Sequence, residues 1–274
     1  MTLLLGLIVG AVLGLTGAGG SILAVPLLMV GLGWTLPQAA PVALLAVCAS
    51  AAFGTVVAWD ASYVRRRAAV LMGAVATITA PLGIKAASLL PLPLLTGLFA
   101  VVLGAVAVRL LRQALLRPAE AAIVRATVSG DGGANGGHWI KLDDRGRIIW
   151  NYTTAWVIGA IGGATGFLAG LLGVGGGFVI VPSLRLASGL SMHSAIATSL
   201  FAIALIAAAA VAGAVAQGVH IEWARALPFV AGALAGMYGG RRLAPRIAGA
   251  RLQEILAVLM LIVAAGLLVH AFRL

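Results

Sequence analysis

Two stretches decide the fold: GLTGAGGS (14–21) and GLLGVGGG (170–177). Each interrupts an apolar segment with closely spaced glycines, which weaken a helix more than any residue except proline. They lie 156 positions apart (170 minus 14), and sliding the chain by that amount extends the match without a gap. Gly6, Gly10, Gly14, Gly17, Gly19 and Gly20 fall on Gly162, Gly166, Gly170, Gly173, Gly175 and Gly176. Further on, Val25 and Pro26 fall on Val181 and Pro182, Gly33 on Gly189, Leu44 on Leu200, Gly83 on Gly239 and Lys85 on Arg241. One glycine coincidence is cheap in such a chain, but an ordered series of this length indicates two copies of one unit.

The surroundings of these stretches exclude a water-soluble enzyme. Of 274 residues, 62% are hydrophobic and 9% charged, against roughly 45–50% and about 25% in soluble domains. Apolar runs near 2–31, 36–59, 66–90, 92–112, 153–184, 191–216, 223–240 and 252–272 each suit a bilayer, so an all-α polytopic membrane protein is expected. Apolar runs that recur along the whole chain are not one signal peptide. The net charge of +11 gathers in short clusters between the runs, the pattern of cytoplasmic loops at an anionic lipid surface rather than of a nucleic-acid-binding face. The single cysteine, Cys48, lies inside an apolar run and is expected simply to pack.

Three regions follow: a first transmembrane repeat over 1–112, a cytoplasmic glycine-rich linker over 113–152, and a second transmembrane repeat over 153–274. VSGDGGANGG (128–137) is too polar and glycine-rich to bury anything, and HWIKLDDRGRIIW (138–150) has the pattern of a small hairpin without a functional role. Residues 2–16 make about 22 Å of helix and 21–31 about 17 Å, against a hydrocarbon core of about 30 Å. Each glycine-broken segment therefore reads as a re-entrant pair of part-helices with both ends on one face. Three full crossings then put the ends of each repeat on opposite faces, and the repeats are inverted. That arrangement gathers Arg65, Arg66, Arg67, Arg109, Arg112, Arg117, the linker, Arg185, Arg241, Arg242, Arg246 and Arg251 on the cytoplasmic face. Only Lys85, Arg225 and Arg273 fall outside, with both termini.

A helix that starts inside the membrane exposes backbone N–H groups at the positive end of its dipole, a ready anion site where glycine lets a ligand approach. The expected substrate-binding residues are Gly17, Gly19, Gly20 and Ser21 in the first copy and Gly173, Gly175, Gly176 and Gly177 in the second. Gly6, Gly10, Gly14 and their partners read instead as small residues for tight helix packing. Thr198 and Ser199, in AIATSL (195–200), either bond back to their helix or face the cavity. Lys85 and Arg241 complete the site list, although snorkelling to the interface also accounts for both. Of the two, Lys85 is expected to matter more, because Pro81 and Gly83 stand ready to unwind the helix around it. Thr35 with Gln38 and Ser191 read as helix caps, and His193 as interfacial. The tryptophans sit near segment ends, as an aromatic belt requires.

There is no metal-binding cluster, no nucleophile with a base and no phosphate-loop motif, so no enzyme and no cofactor is expected. All seven carboxylates lie in loops or near segment ends. GLTGAGGSILAVPLLM (14–29), GLLGVGGGFVIVPSL (170–184) and SMHSAIATSLFAI (191–203) resemble the sulfite exporter TauE/SafE family of bacterial membrane proteins. The resemblance covers both repeats. It implies a cofactor-free transporter of small sulfur-containing anions, such as sulfite or sulfoacetate, in a bacterial inner membrane. Within the shared pattern APVALL (40–45) replaces what in the second copy is IATSLF (196–201), so hydroxyl contacts there are one-sided. The reading is an anion exporter working by alternating access, its partners a sulfur anion and the lipid bilayer, with a homodimer compatible and no nucleic acid. An importer of a sulfur oxyanion, an anion channel, a cation carrier and a membrane scaffold are the alternatives.

Overall fold

A computed structural model describes residues 1–16, 19–57, 64–116, 140, 148–188, 192–219, 221–243 and 249–273. Ten helices carry the described chain: α1 (Thr2–Thr16), α2 (Ala24–Leu32), α3 (Leu36–Val57), α4 (Arg66–Leu89), α5 (Leu92–Leu116), α6 (Tyr152–Leu172), α7 (Gly177–Ala187), α8 (Met192–Ala216), α9 (Trp223–Leu243) and α10 (Gly249–Arg273). A 3₁₀ turn, Gly19–Leu23, precedes α2. Among the described residues there is no strand, only an isolated bridge between Ile140 and Ser188. Ile140 N–H donates to Ala187 O at 2.9 Å, which pins one residue of the linker to the end of α7. The turn of the expected hairpin lies outside the described residues.

Among the described residues five helices are long and apolar enough to cross a membrane, within α3, α4, α5, α6 and α8. Their outward faces carry apolar side chains: Val56, Ile78 and Val101 are more than half exposed, as are Leu227 and Ile262 on α9 and α10. A water-soluble protein rarely leaves so much contiguous apolar surface, whereas lipid requires it. The interior is built of alanine, glycine, valine and leucine, with Phe99 and Phe229 as its largest fully buried side chains.

Both glycine-broken segments are interrupted, but only the first opens with the expected half-length helix: α6, at 21 residues, is itself long and apolar enough to cross a membrane. After α1 the chain does not restart a helix at Ser21; it tightens first into the 3₁₀ turn, and α2 begins at Ala24. In the second copy α6 stops at Leu172 and α7 starts at once with Gly177.

The contacts repeat as the sequence does. α1 packs on α9 and its partner α6 packs on α4; α3 packs on α9 and its partner α8 on α4; α5 packs on α10. Gly6 faces Phe229, Gly10 faces Ala233 and Gly14 faces Met237, so α1 and α9 run in the same direction. Gly162 faces Met72, Gly166 faces Ala76 and Gly170 faces Ala80, so α6 and α4 do likewise. In each case a glycine ridge lies against backbone atoms of the other repeat, closer than any Cβ would permit. α4 also runs with α8, since Gly73 meets Leu205 and Gly213 meets Pro81. α3 crosses α8 the opposite way: Cys48 lies against Ala204, while Gly54, further along α3, meets Leu200, further back on α8.

Candidate functional site

The second interruption lies at the α3/α8 crossing. Cys48 Sγ donates to Ala204 O at 3.5 Å, and these two residues are repeat partners (48 plus 156). Val47 and Ile203, also partners, both lie against Gly175. The 3₁₀ turn of the first copy packs on α7 of the second. All of 171–177 is buried, as are Gly20 and Ser21.

Each loop glycine has its own reason. Gly173 closes α6 in the left-handed region, with φ of 71°, and donates its N–H to Ala169 O at 2.9 Å; its α-carbon is pressed on Ala40 of α3. Gly176, with φ of 69°, turns the chain into α7, and its carbonyl accepts from Val179 N at 3.0 Å and Ile180 N at 3.2 Å. A side chain at either position would strain the backbone. Gly175 has only a steric constraint, from Val47 and Ile203. Gly177 is the first residue of α7. In the first copy Gly20 N–H donates to Thr16 Oγ1 at 3.0 Å, while Thr16 Oγ1 donates to Val12 O at 2.8 Å. That hydroxyl meets one of the backbone donors that the sequence reading assigned to a ligand, and Gly20 is further held by the backbone of Val12 and Leu13. Gly19 opens the 3₁₀ turn, and Gly17 lies outside the described residues.

The remaining expected residues fall at the two ends of the bundle. Thr198 and Ser199 are fully buried. Thr198 Oγ1 accepts the Arg65 N–H at 3.0 Å, joining α8 to the start of α4, and Ser199 Oγ donates back to Ile196 O at 2.8 Å. Arg241 is half-buried and donates through one guanidinium nitrogen to Gly54 O, satisfying a carbonyl in the last turn of α3. Beside it Phe53 meets Tyr238 edge to face, with centroids 6.4 Å apart, and the Arg242 guanidinium lies 4.5 Å from the Tyr238 ring centre. Lys85, its repeat partner, is exposed, and α4 does not unwind around it but runs unbroken through Pro81 and Gly83 to Leu89. At that end Gln217 Nε2 donates to Pro81 O at 3.1 Å instead. The geometry thus engages Arg241 with the other repeat and leaves Lys85 on the surface.

Two residues near the crossing carried no signal in the sequence. Thr165 packs its methyl on Gly176 and donates its hydroxyl to Ile161 O at 2.6 Å. Ser50 is buried on α3, and among the described residues its hydroxyl has no hydrogen-bond partner. Motif spacing and the repeat both pass over Ser50, because its partner in the second copy is Ile206. No group of metal-ligating side chains occurs among the described residues.

Long apolar helices, lipid-suited outer faces and two broken helices packed in the interior define a multi-pass membrane protein. Within that class the chain belongs to the sulfite exporter TauE/SafE family, whose model matches residues 2–267. It is 29% identical over 262 residues to a probable membrane transporter protein of Xylella fastidiosa strain 9a5c, covering 94% of this chain and 90% of that one. A probable membrane transporter protein of strain Temecula1 / ATCC 700964 is 30% identical over 262 residues with the same coverage. No solved structure matches the chain.

Proposed function

We propose that this protein exports a small sulfur-containing anion, sulfite, sulfoacetate or a related organosulfonate, across a bacterial inner membrane by alternating access. The observation that carries the proposal is the packing of the first interruption's 3₁₀ turn on α7, which starts inside the protein beside the α3/α8 crossing and turns its amino end, the positive end of its dipole, to the core. The family's description supplies sulfite and the outward direction.

The repeats are inverted in this reading. Partner helices α3 and α8 run oppositely, whereas two repeats related by an axis along the membrane normal would have them run together. The links between repeats agree. The Arg225 guanidinium sits 5.7 Å from the Trp34 ring centre, and Gln217 meets Pro81, at what the hairpin reading makes the outer end. Arg241 meets Gly54 and Arg65 meets Thr198 at the cytoplasmic end. Simple crossings in place of the re-entrant pairs would set every one of these partners on opposite faces.

Among the described residues the carboxylates, Glu222 and Glu254, are exposed. Buried carboxylates are the usual intramembrane proton relays, so export in this reading is driven by voltage without obligatory coupling to protons or sodium. Moving one negative charge out of a cell that is negative inside is favourable by about 2.3 kcal/mol per 100 mV. That supports roughly a 40-fold outward gradient of a monoanion, at about 1.4 kcal/mol per tenfold.

The test is efflux from proteoliposomes loaded with sulfite or sulfoacetate, with the potential set by potassium and valinomycin, no pH gradient and no sodium. Saturable, voltage-dependent efflux is expected. Flux that ignores voltage but needs a proton or sodium gradient would refute the driving force, and unsaturable flux would indicate a channel.

A further inference from the structure

We infer that Ser50 is a direct contact of the transported anion, donating its hydroxyl to an anion oxygen at the α3/α8 crossing. The inference rests on the transport reading above and adds a binding residue to it.

Ser50 is 1% exposed, and among the described residues its hydroxyl has no hydrogen-bond partner. Other intramembrane hydroxyls behave differently. Thr55, Thr96, Thr165 and Ser199 each donate to a carbonyl three or four residues earlier in their own helix, the usual refuge of a hydroxyl in an apolar helix. A buried hydroxyl without a partner is costly and rare, so one that persists calls for a partner of its own.

Its position says what that partner is. Helical spacing places Ser50 on the same face of α3 as Val47, one turn before it, and Gly54, one turn after it. Val47 touches Gly175 of the second glycine loop; Gly54 touches Leu200 of α8 and lies against Met237 and Arg241 of α9. Ser50 therefore stands between a loop that leads into the amino end of α7 and a guanidinium, both favourable to negative charge. A hydroxyl donor set between two positive features suits an oxyanion, and a cation would find the wrong field there. The repeat supplies no second hydroxyl, since Ile206, the partner of Ser50, is buried and apolar. The anion is thus held off-centre, on the α3 side.

The experiment titrates sodium sulfite, sulfoacetate, sulfate and chloride into the detergent-purified full chain, with thermal unfolding of each variant measured alone. Ser50→Ala is expected to weaken sulfite or sulfoacetate binding about tenfold, while Ser50→Thr stays within about threefold of wild type. Because Ser50→Ala removes an unpartnered buried hydroxyl, its unfolding temperature without anion is expected to match or exceed that of wild type. Anion binding unchanged in Ser50→Ala would overturn the Ser50 contact and leave the transport reading standing. A fall in the unfolding temperature of Ser50→Ala would also overturn it, because the hydroxyl would then have a structural partner. A wild-type protein that binds none of these anions would overturn both.

Discussion

Replacing Gly10 by alanine adds one methyl group at the tightest point of the α1/α9 interface. An ideal Cβ there would lie 2.6 Å from the carbonyl carbon and 2.8 Å from the Cα of Ala233. These are backbone atoms and no rotamer relieves them, so the helices must separate by about 1 Å to restore ordinary contact. A gap of that size forfeits a quarter to a half of each dispersion contact, and an interface of about 40 atom pairs at about 0.15 kcal/mol each then loses roughly 1.5–3 kcal/mol. At about 2–4 °C per kcal/mol for a chain of this size, the unfolding temperature falls by about 3–12 °C. The assay is fluorescence-detected unfolding in detergent, with Gly97→Ala as comparator, because nothing lies within 4 Å of the Cβ position of Gly97. Gly97→Ala, in the open interior of α5, is expected to be neutral or stabilising by up to about 1 kcal/mol. If Gly10→Ala proved as harmless as Gly97→Ala, the argument that the glycine ridges hold the repeats together would fail.

Gly175→Ala meets the Val47 side chain, so its transport defect is expected to be largely restored by adding Val47→Ala; Gly173→Ala, held by positive φ and the backbone of Ala40, is not rescued by trimming any one neighbour. A cycle with no coupling would show that Val47 does not confine the loop. Arg241→Gln weakens a charge-assisted bond to Gly54 O and is expected to lower initial transport rates by about tenfold, with Lys85→Gln within about twofold. The reverse order would return Lys85 to the centre of the site. In a Cys48→Ala background, cysteines at position 67 and in the linker should resist an impermeant thiol reagent in intact cells, whereas one at position 222 should label; labelling of the linker from outside would refute the inverted arrangement.

Much of the architecture was legible because bilayer thickness and glycine act on the sequence directly. The apolar runs anticipated α3, α4, α5 and α8 to within a few residues, and the glycine stretches marked both interruptions, dividing the run over 153–184 between α6 and α7. The register of the repeat carried the interfaces too, since Gly6, Gly10 and Gly14 face α9 as Gly162, Gly166 and Gly170 face α4. What stayed hidden depends on which neighbour a side chain meets. Gly20 looked open to a ligand until its N–H was seen on Thr16. Lys85 and Arg241 are equivalent in register yet differ in exposure, because only one finds an orphan carbonyl across the interface. Ser50 was invisible because a serine in an apolar helix ordinarily bonds to its own backbone, and only three-dimensional contacts show that this one does not.

The exchange of helices between repeats also bears on how the chain assembles. α1 finds its main packing partner in α9, which begins more than 200 residues later at Trp223. At roughly 5–20 residues per second, about 10–40 s of synthesis separate the two. Throughout that interval the Gly6, Gly10 and Gly14 ridge faces lipid or the insertion machinery, while the α4/α6 pair can already close once α6 emerges. Neither half contains the partner its own first helix needs, so the order of assembly is written into the connectivity: the second glycine ridge docks first, and the first docks only when α9 arrives to complete the protein.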